Sequence, residues 1–414
     1  MNAFAYRDDV LHVESVPLPE IAAAHGTPCY VYSRAALTAT FKAFDAAFAR
    51  REHLVCYAVK ANSNLAILNL FARLGSGFDI VSGGELERVL AAGGDPAKTV
   101  FSGVGKSVAE MRRALEVGIR CFNVESAAEL ERLAEIAESA KRTAPVSVRV
   151  NPDVDARTHP YIATGLLQNK FGVPYGEARA LYRRAAALPG VSVTGIGCHI
   201  GSQLTDVAPF RAALDRIVEL VDGLERDGIA LEHIDLGGGL GIRYRDETPP
   251  SLEAYGRALL EPLEGRDEAI VLEPGRALTG HAGVLLTRIE YLKAGEAKNF
   301  AVVDAAMNDL LRPALYDAWH EVLPVWKRQE VARIYDIVGP ICESGDFLAV
   351  DRALAVREQD YLAIMSAGAY GMSMSSNYNS RPRAAEVMVD AETTHLIRKR
   401  ESIAQLIAGE TLLP

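Results

Sequence analysis

Val55-Cys56-Tyr57-Ala58-Val59-Lys60-Ala61-Asn62 reads as a buried strand that ends in an amine. Small and polar residues stop the apolar run at once. An amine held at the open end of a buried strand can shed its proton and attack a carbonyl, which is how a lysine becomes a Schiff-base anchor. Taken alone, Lys60 is more simply a surface lysine at a strand end. Its company along the chain changes that reading.

With Val55–Lys60 as the first, eight β-type runs follow one another, the others being Phe78–Val81, Thr99–Ser102, Cys121–Val124, Val146–Val150, Val193–His199, His233–Leu236 and Ile270–Glu273. Between them lie helix-patterned segments: Gly84–Ala92, Val108–Val117, Ala127–Ser139, Pro174–Leu188, Pro209–Glu225 and Ser251–Leu263. In Ala127–Ser139, Leu130, Leu133, Ala134, Ile136 and Ala137 share one helical face, with Glu129, Glu131 and Glu135 on the other. Near-continuous apolar strands alternating with helices imply a parallel sheet covered on both sides. Eight such units over about 250 residues predict an α/β fold, a (β/α)8 TIM-type barrel. An open doubly wound sheet is the alternative. On a barrel, active sites gather where the strands end. Those ends carry Lys60, Asp79, Ser82, Asn123, Glu125, Arg149, Asn151, His199, Gly237–Gly239 and Glu273.

After Gly280 the helical spacing fades. Val284–Leu292, Phe300–Val303, Ile334–Val338, Tyr361–Met365 and Glu386–Val389 read as strands. Ala5–Val13 reads as a strand or hairpin before a short helix at Leu18–Ala24. The expected organisation is a barrel over 28–280 and a β-rich domain built from 1–27 together with 281–414.

The bulk numbers agree with an enzyme of this size. At 414 residues the chain exceeds one ordinary domain. Hydrophobic content of 49% with 24% charged residues describes a globular protein with ample core. The net charge, 44 minus 54 or -10, argues against nucleic acid or an anionic membrane as partner. The five cysteines are scattered and include no C-x-x-C pair, so neither a disulfide framework nor a metal site is expected. Met1 to Val10 lacks a signal pattern and no apolar run reaches spanning length, so the cytoplasm is the expected compartment.

Several groups carry chemistry. Leu236-Gly237-Gly238-Gly239-Leu240-Gly241 follows a strand, and successive glycines let backbone N–H groups approach a phosphate. Glu273-Pro274-Gly275-Arg276 ends the eighth strand, where a carboxylate and a guanidinium can hold a protonated ring nitrogen and an anion side by side. The plain alternative is an internal ion pair. His199, in Cys198-His199-Ile200-Gly201-Ser202-Gln203, offers a flat ring that can stack on an aromatic cofactor, and Ser202 can reach a phosphate oxygen. Cys342 and Glu343 sit in Pro340-Ile341-Cys342-Glu343-Ser344-Gly345-Asp346, a loop that is poor core material. Arg312 and Tyr316 lie within about one helical turn of each other. Tyr370 is flanked by glycines that permit close approach of a ligand. A reactive lysine, a phosphate loop, a carboxylate for a ring nitrogen and a stackable imidazole together describe pyridoxal 5′-phosphate.

YAVKAN (57–62), FDIVSGGE (78–85), HIGSQ (199–203), DLGGGLGI (235–242), EPGR (273–276), DLLRPALYDAWH (309–320), GPICESGD (339–346) and GAYGMSMSSNYNSRP (368–382) run from one end of the chain to the other. In these stretches and in their order the chain resembles the fold-type III pyridoxal-phosphate decarboxylases. The resemblance implies that Lys60 anchors the cofactor covalently and that His199 stacks on its ring. Ser202, Gly239, Pro274, Gly275, Arg276 and Tyr370 would surround the phosphate and neighbouring atoms. Glu273 would face the ring nitrogen and keep it protonated. A racemase on the same barrel is expected to present a cation there, so Glu273 argues against racemisation. The implied reaction is decarboxylation of meso-2,6-diaminopimelate to L-lysine and carbon dioxide, the last step of lysine biosynthesis. Arg276, Arg312, Tyr316 and Tyr370 would meet the substrate, the arginines taking the distal carboxylate by bidentate contacts. Glu343 would take the ammonium and Cys342 would give a proton to Cα. Both would come from the partner subunit of a homodimer with shared sites. Decarboxylation of ornithine, arginine or carboxynorspermidine, or a non-catalytic pyridoxal-phosphate-binding barrel, are the other readings.

Overall fold

The computed structural model describes residues 3–154 and 170–414. The chain divides into two compact units, one of Phe41–Ile242 and Thr248–Ala277, the other of Met1–Thr40, Arg243–Glu247 and Leu278–Pro414.

The first unit holds eight parallel strands: His53–Ala58, Gly77–Ile80, Thr99–Phe101, Cys121–Val124, Ala144–Asn151, Val191–Gly197, His233–Asp235 and Ala269–Leu272. Each pairs with the next, and the eighth returns to the first with Leu272 opposite Val55. That last pairing closes the sheet and excludes the open arrangement. The second, third, fourth, seventh and eighth strands are buried at every residue, as a sheet walled in by helices requires.

Serines set where the helices begin. Ser82, Ser107, Ser126 and Ser251 each accept a backbone N–H from the first turn of the helices Gly83–Ala91, Val108–Val117, Ala127–Ser139 and Leu252–Leu260. Such a cap satisfies a donor the helix itself cannot pair. In Ala127–Ser139 the buried residues are Leu130, Leu133, Ala134, Ile136 and Ala137, the face the sequence marks as apolar. The helix Leu65–Arg73, capped by Asn64, fills the connection between the first two barrel strands.

In the second unit Gly283–Lys293 is a long strand, antiparallel to Cys29–Ser33, Phe300–Val303 and Tyr361–Ile364. Cys29–Ser33 also lies parallel to Ala385–Asp390. An N-terminal hairpin, Phe4–Arg7 with Val10–Val13, packs Phe4, Leu11 and Val13 into one core with Val31, Leu286 and Val387. Residues from both ends of the chain thus share one apolar cluster. Among the described residues no helix is long and apolar enough to cross a membrane.

Candidate active site

Lys60 lies two residues beyond the first barrel strand, in a 3-10 turn over Val59–Ala61, rather than within the strand itself. Its Nζ donates to Asp79 Oδ2 at 2.5 Å, with the lysine side chain 38% exposed and Asp79 fully buried. Asp79 ends near the tip of the second strand, so the pair joins neighbouring strand ends. The Asp79 Oδ1 atom is buried and has no hydrogen-bond partner among the described residues. An ammonium in an ion pair is not a nucleophile, so the pair must open before the amine can react.

Glu273 follows the eighth strand and is 8% exposed. Its Oε1 accepts from Asn123 Nδ2 at 3.2 Å and from Ser102 Oγ at 3.4 Å. Asn123 Nδ2 also reaches Asp235 Oδ2 at 3.2 Å and Ser102 Oγ at 3.0 Å, tying together the ends of four strands. Asn123 thus bridges the Glu273 and Asp235 carboxyl groups. Burial, then the neighbouring Asp235 and Asp79, hold the Glu273 carboxyl well above the usual range. Burial pushes Asp235 up to about 6. Such a crowd of acids in a low-dielectric site favours a cation that enters among them.

His199 follows the sixth strand and is half-buried. Its Nδ1 accepts the Gly238 N–H at 3.1 Å. Burial, followed by the charges of Arg149 and Lys60, holds the imidazole pKa well below its ordinary value. The ring is therefore neutral with its proton on Nε2, a flat surface without charge. Arg149 is paired with Glu125 at 3.0 Å.

The glycine run is more constrained than its sequence implies. A Cβ on Gly238 would fall 2.1 Å from the Glu273 carbonyl oxygen, and one on Gly239 2.3 Å from the Gly201 carbonyl. The Gly237 N–H is committed to Asp235 Oδ1 at 2.8 Å and the Gly238 N–H to His199. Close strand-end packing, not anion binding alone, requires these glycines. Beside the loop, Arg276 Nη2 donates to Ser202 Oγ at 3.0 Å.

The remaining candidates lie in the second unit. Arg312 opens the short helix Arg312–Tyr316 and is buried, and Tyr316 closes it half-buried. Tyr370 has φ 56, an uncommon backbone state for a bulky residue. The glycine before the preceding alanine, Gly368, sits where a Cβ would be 2.0 Å from the Thr279 carbonyl, so here too the small residue admits backbone. Cys342 is exposed and the other four cysteines are buried. Burial raises Cys29 and Cys198 to about 12, so those thiols keep their protons. Glu343 Oε1 accepts from Tyr378 OH at 2.5 Å. Asp346 is a brace: its carboxylate takes the N–H groups of Met307 at 2.6 Å and Ile341 at 2.8 Å, fixing the loop that carries Cys342.

The barrel mouth thus unites Lys60, His199, Ser202, Gly239, Glu273, Pro274, Gly275 and Arg276 in one unit, while Arg312, Tyr316, Cys342, Glu343 and Tyr370 belong to the other. Sequence reasoning missed Asp235 and Ser102, which support Glu273. The signal for Asp235 was present, since it precedes the glycine run at a strand end.

Known proteins resemble this chain along its whole length. Residues 34–280 match the family described as pyridoxal-dependent decarboxylase, pyridoxal binding domain. The chain is 63% identical to the diaminopimelate decarboxylase of Pseudomonas aeruginosa over 414 residues, covering all of both chains. It is 58% identical to that of Vibrio cholerae, again over all of both chains. Among solved structures, diaminopimelate decarboxylase from M. jannaschii in co-complex with L-lysine superimposes with a TM-score of 0.96 at 38% identity, covering 100% of this chain and 98% of the other. The Helicobacter pylori enzyme complexed with L-lysine gives 0.92 at 42% identity, covering 94% and 98%. The chain belongs to the pyridoxal-dependent decarboxylases and, within them, to the family of the diaminopimelate decarboxylases.

Proposed function

We infer that this protein decarboxylates meso-2,6-diaminopimelate to L-lysine and carbon dioxide with pyridoxal 5′-phosphate as cofactor. The observation that carries the substrate assignment is the end-to-end identity of 63% with a diaminopimelate decarboxylase. The barrel mouth fits the cofactor independently. It offers an amine, a neutral stackable imidazole, a Ser202–Arg276 pair for an anion, and a buried acid cluster that welcomes a ring cation.

When bound, the cofactor supplies a sink for the electron pair left behind as the α-carboxylate departs. Lys60 would hold it covalently, once Asp79 releases the amine. His199 packs its flat ring against it. Ser202, Gly239, Pro274, Gly275, Arg276 and Tyr370 would surround the phosphate and the nearby substrate atoms. Glu273 would accept the N–H of a protonated ring nitrogen, and Asn123 and Ser102 hold its carboxyl group in place. At the far end of the substrate, Arg276, Arg312 and Tyr316 bind the carboxylate that the product retains. Glu343 takes the ammonium. The exposed thiol of Cys342 gives its proton to Cα after carbon dioxide leaves. The free state of all five cysteines fits a reducing compartment, the cytoplasm.

Removing one guanidinium tests the substrate assignment. Arg312→Ala should raise KM for meso-diaminopimelate by about a hundredfold, the scale of a lost charged hydrogen-bond pair. A KM within about twofold of the parent's would leave the distal carboxylate with another partner.

The assembly proposed is a two-fold homodimer in which Cys342 and Glu343 of each subunit serve the site of the other. Lys60 and Cys342 belong to different compact units, and two-fold dimers allow a loop to cross the interface twice. Co-expressing Lys60→Ala and Cys342→Ala chains makes about half the dimers hybrid, with one doubly damaged and one intact site each. About a quarter of all sites should then be active. Hybrids that form but stay inactive would mean that the thiol serves its own subunit or no site at all.

A further inference from the structure

Arg312 does not stand alone. Its Nη1 donates to Nε2 of His320, 2.9 Å away and eight residues on. His320 is wholly buried, and its Nδ1 lies 2.8 Å from the Met365 carbonyl oxygen. A carbonyl only accepts and a guanidinium only donates, so both ring nitrogens have fixed roles. The imidazole is neutral, protonated on Nδ1, and turns its Nε2 lone pair to Arg312. Its main chain is held as well, because Arg352 Nη2 donates to the His320 carbonyl at 2.9 Å. The Arg312 guanidinium also lies 4.6 Å over the centroid of the Tyr244 ring, and that ring meets His320 edge-on at 5.3 Å. Tyr244 and His320 thus both contact the guanidinium and restrict its orientation. A neutral acceptor holds the group without cancelling its charge, whereas a carboxylate in the same place would compete with a bound anion.

We propose that His320 is a positioning residue for the substrate carboxylate that survives decarboxylation, acting through Arg312. The proposal rests on the reading that Arg312 binds that carboxylate. A guanidinium delivers two parallel hydrogen bonds only when its fork is aimed, and a small rotation costs one of them. Because the same carboxylate is present in substrate and in L-lysine, His320 governs the affinity for both. It has no bearing on a ligand that lacks the carboxylate.

His320→Leu removes the acceptor at similar bulk. His320→Gln places an amide oxygen where Nε2 stood, and His320→Asn places one too short to reach. For each variant, KM and kcat with meso-diaminopimelate are measured alongside inhibition by L-lysine and by 1,5-diaminopentane, which carries no carboxylate. In His320→Leu, KM and the lysine inhibition constant should rise about tenfold or more, the effect of one lost hydrogen bond to a charged group. The constant for 1,5-diaminopentane and kcat should stay within about twofold. His320→Gln should recover most of the lost affinity and His320→Asn should not, a contrast that holds even if the leucine variant fails to fold. Unchanged KM and lysine affinity in His320→Leu, with both weakened in Arg312→Ala, would overturn the proposal and leave the role of Arg312 standing. Equal weakening of all three ligands, or equal behaviour of the Gln and Asn variants, would also overturn it by reducing His320 to a packing residue. Arg312→Ala that alters neither constant would overturn the underlying reading instead.

Discussion

Borohydride treatment of the holoenzyme will fix the cofactor to the peptide that carries Lys60, and Lys60→Ala will yield no fixed cofactor. The variant should lose activity by about a thousandfold or more, since the substitution removes the amine that holds the cofactor covalently. Loss of stability must be separated from loss of chemistry, because Lys60→Ala leaves the fully buried Asp79 without its cation. Unchanged thermal unfolding of Lys60→Ala would separate the two explanations. Fixed cofactor on any other lysine would end the assignment.

Glu273→Gln comes next in size. The amide preserves shape and the contact with Asn123 but cannot favour a protonated ring nitrogen as a carboxylate does. A fall in kcat of about a hundredfold or more is expected, the scale of a transition-state electrostatic contact, with KM changed little. If the cofactor stays bound and kcat is unchanged, the buried acid has no part in the electron sink. The cofactor-free chain gives a second readout. Glu273 and Asp235 have raised pKa values when folded, so the folded state binds more protons than the unfolded one above the ordinary carboxylate range. Their contribution to stability therefore falls as pH rises through Asp235's value of about 6 and on towards that of Glu273. Glu273→Gln deletes one share of that fall and relieves the other. Its Tm should drop less than the parent's between about pH 5 and about pH 8.

How much of this was legible in the sequence depends on the range of the interactions involved. Barrel strands are local signals: an apolar run, a polar tip, then a serine-capped helix. Lys60 and Glu273 could be read because each stands at such a tip. Cys29–Ser33 could not be assigned to its sheet in this way. It is wholly buried and is followed by the helix Arg34–Ala47, which gives it the texture of one more barrel unit, yet its partners are Gly283–Leu286 and Ala385–Val389. Phe347–Leu354 and Thr393–Arg398 escaped notice because they lack a regular apolar alternation, the latter being mostly exposed. In the site, the glycine run was legible as a close approach, but only the fold reveals that backbone carbonyls make much of it. The support of Glu273 by Asn123 and Ser102, and of Arg312 by His320, joins residues with no shared periodicity. Side-chain networks of this kind leave no pattern in a single sequence.

The most direct test of the central claim is the product balance with meso-2,6-diaminopimelate, its L,L isomer and ornithine offered separately to the purified holoenzyme. One carbon dioxide and one L-lysine should appear for each meso-diaminopimelate consumed, with turnover of the other two far slower. Faster release of carbon dioxide from ornithine, or consumption of diaminopimelate without carbon dioxide, would contradict the account.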